Sequence, residues 1–266
     1  MASVESQSER PRPIPGVIPA SVAQTKRDLA AGLRILEQQG QADLAAGFLI
    51  ARSPEDEAVF LASPHGVFWR EVVPEDFCAY SWATGRRSDG AEGPLPNAPV
   101  CPLAAAIFAA CPDVKAICHA HGPGSMAVSA CKEGLLPMSE ASFMFYERVK
   151  FIRCDFFFEK QYCSEVAELL RDEEAFVVLA RNHSFFIVGA SIQQCFMRAY
   201  MFEQACRVQL QILGATKDPY IPDRDEILYH RRSYEGYPGC PAYNGQFEWP
   251  GLLRKLREDN GLEWCA

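Results

Sequence analysis

Two short apolar segments near the start of the chain limit most strongly the folds that this sequence can adopt. GFLIARS (47–53) and EAVFLAS (57–63) have the length and composition of strands, and the turn PEDE (54–57) joins them. Strands that such a short turn connects pair antiparallel, because a parallel pair needs a crossover of about a dozen residues or more. The sequence therefore predicts antiparallel strands and argues against a doubly wound nucleotide-binding fold, and no GxGxxG or P-loop pattern follows any strand.

The rest of the chain alternates between helix and strand patterns. Ser191 and Gln194 have the spacing of a capping box at the start of the longest helix. With 266 residues, the chain can form one domain with an extension. We expect a single α/β domain over residues 23–215, with a central mixed, mainly antiparallel β-sheet flanked by helices. Helical patterns cover 25–40, 102–112, 163–174 and 191–215, and strand patterns cover 114–120, 175–181 and 185–189.

The two ends of the chain differ from this domain in composition. Residues 1–22 are polar and rich in proline, which predicts a flexible N-terminal arm. Residues 216–266 contain many prolines and aromatic residues, which predicts a C-terminal extension with an aromatic tail and a terminal helix. Tails of this kind often wrap over a neighbouring subunit.

Charge, hydropathy and cysteine usage exclude several classes of protein. A net charge of -8 argues against a broad nucleic-acid-binding surface. No apolar run approaches the length of about 18 residues that a membrane span needs, and the N-terminus lacks the apolar core of a signal peptide. The 11 cysteines are scattered through apolar segments without a CxxC pair, as free thiols are in a reducing compartment. We therefore expect a cytoplasmic protein that binds neither nucleic acid nor membranes.

The segment AICHAHGPGSM (116–126) places two of the five histidines at the end of a strand pattern. Side chains two residues apart on a strand share a face, so His119 and His121 can bind one metal ion together. Catalytic zinc usually takes three protein ligands and a water, so a third ligand is needed. His183 directly follows the strand pattern 175–181 and is the candidate for it. The alternative is a chance pair of histidines whose hydrogen bonds are satisfied within the fold.

Two longer segments, AAAIFAACPDVKAICHAHGPGSMAVSA (104–130) and VVLARNHSFFIVGASIQQCFMRAYMFEQAC (177–206), carry a resemblance to a known family. Their order of helix, PDV, apolar strand, HxH, NH, strand and long helix resembles the class II aldolase and adducin head family, and the similarity runs from about residue 25 to 215. The resemblance implies that His119, His121 and His183 bind a divalent metal ion. In that family the ion is generally zinc, and members are usually tetramers with sites between subunits.

The chain departs from the aldolase pattern at several positions. The aldolases have an acid/base glutamate nineteen residues before the first metal-binding histidine, where this chain has Val100. Phe48 and Ile50 replace the asparagine and serine of a substrate-binding stretch, and Ser184 replaces the glycine after the third histidine. These changes resemble the adducin-like branch. They predict a substrate that is less polar than a sugar phosphate, such as an aromatic or polyketide-like metabolite.

With Val100 unable to transfer protons, other side chains become candidates for catalysis. Glu140 is the candidate carboxylate, because the corresponding segment of the family passes near the metal, and Tyr146 is a candidate proton donor. The alternative interpretation is that Glu140 is an exposed loop residue and Tyr146 is a core residue, neither with a catalytic role. The candidate substrate-binding residues are His65, Gly66 and Arg52.

Three functions fit these features. The first is a metal-dependent carbon–carbon lyase of the aldol, retro-aldol or decarboxylation type, which acts on a small carbonyl or hydroxy-acid metabolite with zinc, or with iron(II) or manganese, as its one metal ion. The second is a non-haem iron(II) oxygenase that uses the same three histidines. The third is a non-catalytic adducin-like oligomeric scaffold. For the lyase we expect a homotetramer, as is usual in the family.

Overall fold

The structure is a computed structural model that describes residues 21–237 and 242–265. The predicted N-terminal arm lies outside the described residues except for its last two, since Ser21 caps a helix that begins at Val22. The helices are α1 (Val22–Gln38), α2 (Val100–Ala110), α3 (Pro123–Ser129), α4 (Glu140–Phe143), α5 (Lys160–Leu169), α6 (Ile192–Ala215), α7 (Arg224–Ser233) and α8 (Trp249–Asn260). The strands are β1 (Phe48–Arg52), β2 (Val59–Ala62), β3 (Cys78–Ser81), β4 (Ala116–Ala120), β5 (Val149–Ile152), β6 (Val177–Ala180) and β7 (Phe185–Gly189).

Within the described ranges these strands form one seven-stranded sheet with the order β3-β2-β1-β4-β7-β6-β5. β5 and β6 pair in parallel, and the other neighbouring strands pair antiparallel. The predicted hairpin is formed by β1 and β2. The prediction of an α/β domain with a mixed, mainly antiparallel sheet is therefore confirmed.

The centre of the sheet sets the position of His119. β4 lies between β1 and β7, and its register places His119 opposite Phe48 on one side and Phe186 on the other. Residues that are paired across strands project from the same face, so the three side chains lie together. The His119 imidazole is therefore embedded between aromatic rings rather than placed on a loop.

Helices cover both faces of the sheet. On one face α1 packs on β1 and α6 packs on β4 and β7. Gly32 in α1 permits the contact, because a Cβ atom there would collide with Leu49 of β1. The other face, which carries Phe60 and Phe186, contacts Phe108 of α2 and Tyr162 of α5. None of the helices in the described part of the chain has both the length and the apolar character needed to cross a bilayer.

The predicted capping box at the start of α6 forms in a shifted version. The Ser191 hydroxyl accepts the backbone N–H of Gln194 at 3.1 Å, as predicted. The Gln194 side chain, however, accepts the N–H of Ala190 at 2.8 Å, one residue earlier than in a standard capping box. The backbone N–H groups of Ala190 and Gln194, on either side of the turn between β7 and α6, therefore each have a side-chain acceptor.

The C-terminal extension packs on its own domain. Trp249 of α8 is buried, and its indole N–H donates to the carboxylate of Asp28 in α1 at 3.0 Å. The segment around α7 is held by ion pairs: Arg148 pairs with Glu235, and Arg231 pairs with Glu174 at 3.4 Å. The described part of the tail therefore has extensive contacts within this chain.

Asp28 is the buried group that joins α1, α6 and α8, and its replacement tests this packing. Its carboxylate accepts hydrogen bonds from Gln24, Gln193 and Trp249. Asp28→Ala leaves the buried Trp249 indole N–H and the half-buried amides of Gln24 and Gln193 without this acceptor, so we expect the free energy of unfolding to fall by about 1–3 kcal/mol in urea denaturation. The control Asp259→Ala removes a half-exposed carboxylate and should change stability by less than about 0.5 kcal/mol. Equal effects of the two substitutions would contradict a joining role for Asp28.

Candidate metal centre

The structure brings His119, His121 and His183 together in one cluster. His119 is in β4, His121 follows its end, and His183 lies in the turn between β6 and β7. One ring nitrogen from each histidine lies within 4.8 Å of the others. The closest pair is formed by Nε2 of His121 and Nε2 of His183, which are 3.0 Å apart. Three imidazoles that converge in this way offer a three-nitrogen ligand set.

A tight turn positions His183. Asn182 adopts the left-handed conformation, with φ of 56°, and the N–H of His183 donates to Ala180 at 3.2 Å. The hydroxyl of Ser184 donates to the carbonyl of Ala120, which lies between the other two histidines. The serine that replaces the family's glycine at this position therefore ties the His183 turn to the end of β4.

Burial keeps the cluster neutral. The Nδ1–H of His119 donates to the carbonyl of Phe185 at 2.8 Å, which leaves Nε2 of that ring with its lone pair. Loss of water contact lowers the pKa of all three histidines, with His183 lowered to about 4, and repulsion from neighbouring histidines lowers the pKa of His119 and His183 further. Neutral imidazoles are the form that binds metal, so the donor set fits a divalent ion at neutral pH.

The hydrogen bonds of the other two histidines are incomplete without an additional ligand. Within the described residues, the Nδ1 atoms of His121 and His183 are buried and have no hydrogen-bond partner. Their Nε2 atoms face each other, and two neutral imidazoles can share at most one N–H···N bond there. A cation bound between the Nε2 atoms would use the lone pairs of both. These two histidines therefore also fit a divalent metal ion.

Comparisons with known proteins agree with this geometry. The family model described as the Class II Aldolase and Adducin N-terminal domain matches residues 27–210. The chain belongs to this family. The match includes the three histidines and confirms the resemblance that the sequence motifs carry.

Relatives in the class II aldolase and adducin family include proteins of both kinds. A Pseudomonas aeruginosa protein that is provisionally named an aldolase class 2 protein is 29% identical, with 94% of this chain and 95% of the relative covered. Human beta-adducin is 28% identical over 84% of this chain, which spans 32% of the adducin. Among solved structures, an L-fuculose 1-phosphate aldolase from Glaciozyma antarctica is 25% identical, covers 92% of this chain and 94% of its own, and has a TM-score of 0.78.

Glu203 is a carboxylate near the histidines that the sequence did not reveal. It lies on α6 with no exposed surface, and its oxygens accept the N–H groups of Gly124 and Ser125 at 2.9 and 2.8 Å. Arg207 donates to the same carboxylate at 2.6 Å. A Cβ atom on Gly122 would collide with Glu203, which explains why the turn after His121 is glycine-rich. Glu203 thus fixes the backbone that follows the HxH pair.

Asp43 is a second acidic residue that sequence reasoning missed. The N–H of His121 donates to Gln41 at 3.0 Å, so the loop between α1 and β1 passes beside this histidine. The carboxylate of Asp43, two residues further along this loop, acts to raise the pKa of His121 against the larger effect of burial. The family's acid/base glutamate corresponds to position 100, and the loop with Asp43 has no motif, so the sequence did not indicate Asp43 as a candidate.

The predicted catalytic residues lie against the C-terminal extension. Glu140 is exposed in the first turn of α4, and its backbone carbonyl accepts the Tyr234 hydroxyl at 3.1 Å. Tyr146 follows α4, and its carbonyl accepts from Arg231 at 3.1 Å. Val100 is buried as the first residue of α2. These contacts are structural, and the catalytic role of the two residues stays a prediction.

The predicted substrate-binding residues lie at different ends of the sheet. β2 runs antiparallel to β1, so the loop with His65 and Gly66 leaves the sheet at the end where His119 lies. Both residues are exposed there. Arg52 lies at the other end of β1, roughly 13 Å along the strand from Phe48. Its guanidinium donates to backbone carbonyls, including Phe108 at 2.7 Å, which gives Arg52 a structural role.

Replacing Glu203 tests its role in holding the turn after His121. Glu203→Gln keeps the shape but removes the charge that two backbone N–H groups and Arg207 share. We expect the free energy of unfolding to fall by about 2–4 kcal/mol, measured in urea. Glu168→Gln, in an exposed pair with Arg171, is the control and should cost less than about 0.5 kcal/mol. A loss for Glu203→Gln no larger than that of the control would refute the role.

The histidine cluster also predicts how stability depends on pH. Between an ordinary pKa of 6.5 and the lowered value of about 4, folded His183 binds fewer protons than the unfolded chain does. The contribution of His183 to the free energy of unfolding of the metal-free protein should therefore be fully present above about pH 6.5 and be lost as the pH decreases toward 4. Urea denaturation at pH 7.5 and 5.5 measures the drop, and His183→Gln should make it smaller. An identical drop in this variant would contradict the assignment.

Proposed function

We propose that this chain is a metal-dependent carbon–carbon lyase that acts on a small carbonyl or hydroxy-acid metabolite. The observation that carries the proposal is the convergence of three neutral histidine nitrogens within 4.8 Å. Membership of the class II aldolase and adducin family supports an aldol, retro-aldol or decarboxylation reaction. The replacement of polar positions by Phe48, Ile50 and Val100 supports a substrate other than a sugar phosphate, such as a metabolite of secondary metabolism.

His119, His121 and His183 would hold the ion, which is zinc in our proposal, with iron(II) or manganese as alternatives. When bound, a divalent metal supplies Lewis-acid polarisation of a carbonyl oxygen. The chain's own contribution is to keep the ligands in place: Phe185 fixes the tautomer of His119, and Ser184 fixes the His183 turn. The phenylalanines around His119 exclude water and keep the imidazoles unprotonated.

Proton transfer must involve side chains other than Val100. Glu140 and Tyr146 stay the proposed groups from the family resemblance, since their segment passes near the metal in the aldolases. Asp43 joins them because its charge acts on His121, and it is exposed, so it can exchange protons with solvent. His65 and Gly66, at the same end of the sheet as His119, are the proposed contacts for a substrate carboxylate or hydroxyl.

A non-catalytic scaffold is the second candidate, and two observations favour it. Adducins are among the relatives, and the acid/base glutamate of the aldolases is replaced by Val100. A scaffold has no need for three converging neutral histidines, however, which is why we place the lyase first. An iron(II) oxygenase would use the same histidines. For all three functions we propose a cytoplasmic protein, and for the lyase a homotetramer of the kind usual in the family.

Metal analysis of protein purified without added metal tests the proposal. We expect about one zinc ion per chain by mass spectrometry, and His121→Ala should reduce the metal content at least tenfold because one of three ligands is lost. His230→Ala, a histidine of α7 outside the cluster, is the control and should leave the content unchanged. Iron together with oxygen consumption would favour the oxygenase. Absence of metal, or an unchanged content in His121→Ala, would overturn the lyase.

A further inference from the structure

The inner side of the histidine cluster is aromatic. The ring centroids of Phe48, Phe158 and Phe186 lie 5.5, 6.4 and 4.7 Å from that of His119. All three phenylalanines are buried. They pack around His119, so the structure favours approach of a bound molecule from the side of His121 and His183.

On the side of His121 and His183, another phenylalanine, Phe156, lies beside the histidine cluster. The ring of Phe156 lies 5.1 Å from that of His183, and 73% of this residue is exposed. The next residue, Phe157, is 88% exposed. Phe158 has a φ of 50°, a conformation disfavoured for any residue other than glycine. The chain turns back at this residue, and the Phe158 ring packs near His119. The segment thus places Phe156 beside His183 and Phe158 beside His119.

We propose that Phe156 is a specificity-determining residue that binds an apolar, ring-sized substituent of the substrate. This inference rests on the proposed function, because it takes the three histidines as the metal ligands. A molecule that bound the ion through two oxygens would lie next to His183, and its substituent would be within reach of the exposed Phe156 ring. Covering that ring removes apolar surface from water and adds an aromatic contact.

The surroundings of the site favour an apolar substituent over a phosphorylated one. Phe48 occupies a position where the aldolases bind substrate with an amide, and Ile50 follows it on the same face of β1. Arg52, which the sequence analysis named as a candidate substrate-binding residue, lies at the opposite end of the strand and donates to backbone carbonyls. The site therefore combines a metal-binding set with apolar walls.

Two hydroxamates test the proposal by binding rather than turnover. Hydroxamates chelate divalent metals through two oxygens, and acetohydroxamate and phenylacetohydroxamate differ by one phenyl ring. With cobalt(II)-loaded protein, titrations followed by visible absorption should give a preference of about tenfold for the phenyl compound. Phe156→Ala should reduce the preference to about twofold or less. Phe157→Ala removes an equally large, more exposed phenylalanine and should retain it.

The outcomes separate this inference from the function on which it rests. Equal affinity of the wild-type protein for the two hydroxamates, or a preference unchanged in Phe156→Ala, would overturn the role of Phe156 while the metal site stands. Loss of the preference in Phe157→Ala alone would overturn it too, because the wrong side chain would be responsible. Failure of the wild-type protein to retain cobalt(II) would overturn the proposed function and the inference together.

Discussion

The antiparallel pairing of β4 with β7 is the constraint on which the histidine cluster depends. It sets His119 opposite Phe186, and it returns the turn that carries His183 to the end of β4. A slip of one residue in this register would move His119 to the other face of the sheet and separate the ligands. The Ser184 hydroxyl bonds to Ala120 and opposes such a slip. The geometry of the cluster is thus a property of the central sheet.

Burial of three imidazoles has a cost that the rest of the structure offsets. The imidazoles lose water, and the aromatic rings of Phe48, Phe158 and Phe186 beside His119 offer no hydrogen bonds in return, so a proton on the cluster is disfavoured. The fully buried carboxylate of Glu203 accepts hydrogen bonds from Arg207 and two backbone N–H groups, which compensate its charge. Its negative charge is used to hold the turn after His121. A bound metal cation would match the lone pairs that remain on the three imidazoles.

Local patterns predicted β1, β2, β4, β6, β7, the long helices and the three histidines, because strand ends and HxH spacing depend on neighbours in the chain. They did not predict β3 or β5. What else the sequence did not reveal depends on distant pairs. Asp28 meets Trp249 across 221 positions, and Glu203 meets Gly124 across 79. Asp43 was missed because its loop has no motif of its own. Arg52 was assigned to substrate binding from its motif, yet the strand direction places it away from the histidines.

The three histidines and the side chains that surround them lie on separate parts of the fold. Sheet pairing and the β6–β7 turn fix the histidines, whereas Phe156 lies on an exposed segment before α5 and Asp43 on the loop before β1. Substitutions on these segments alter the walls of the site without disturbing the sheet register, since neither segment pairs with β4. Valine at position 100 is therefore compatible with three converging histidines. On this geometry the surroundings of the cluster can vary more easily than the cluster itself.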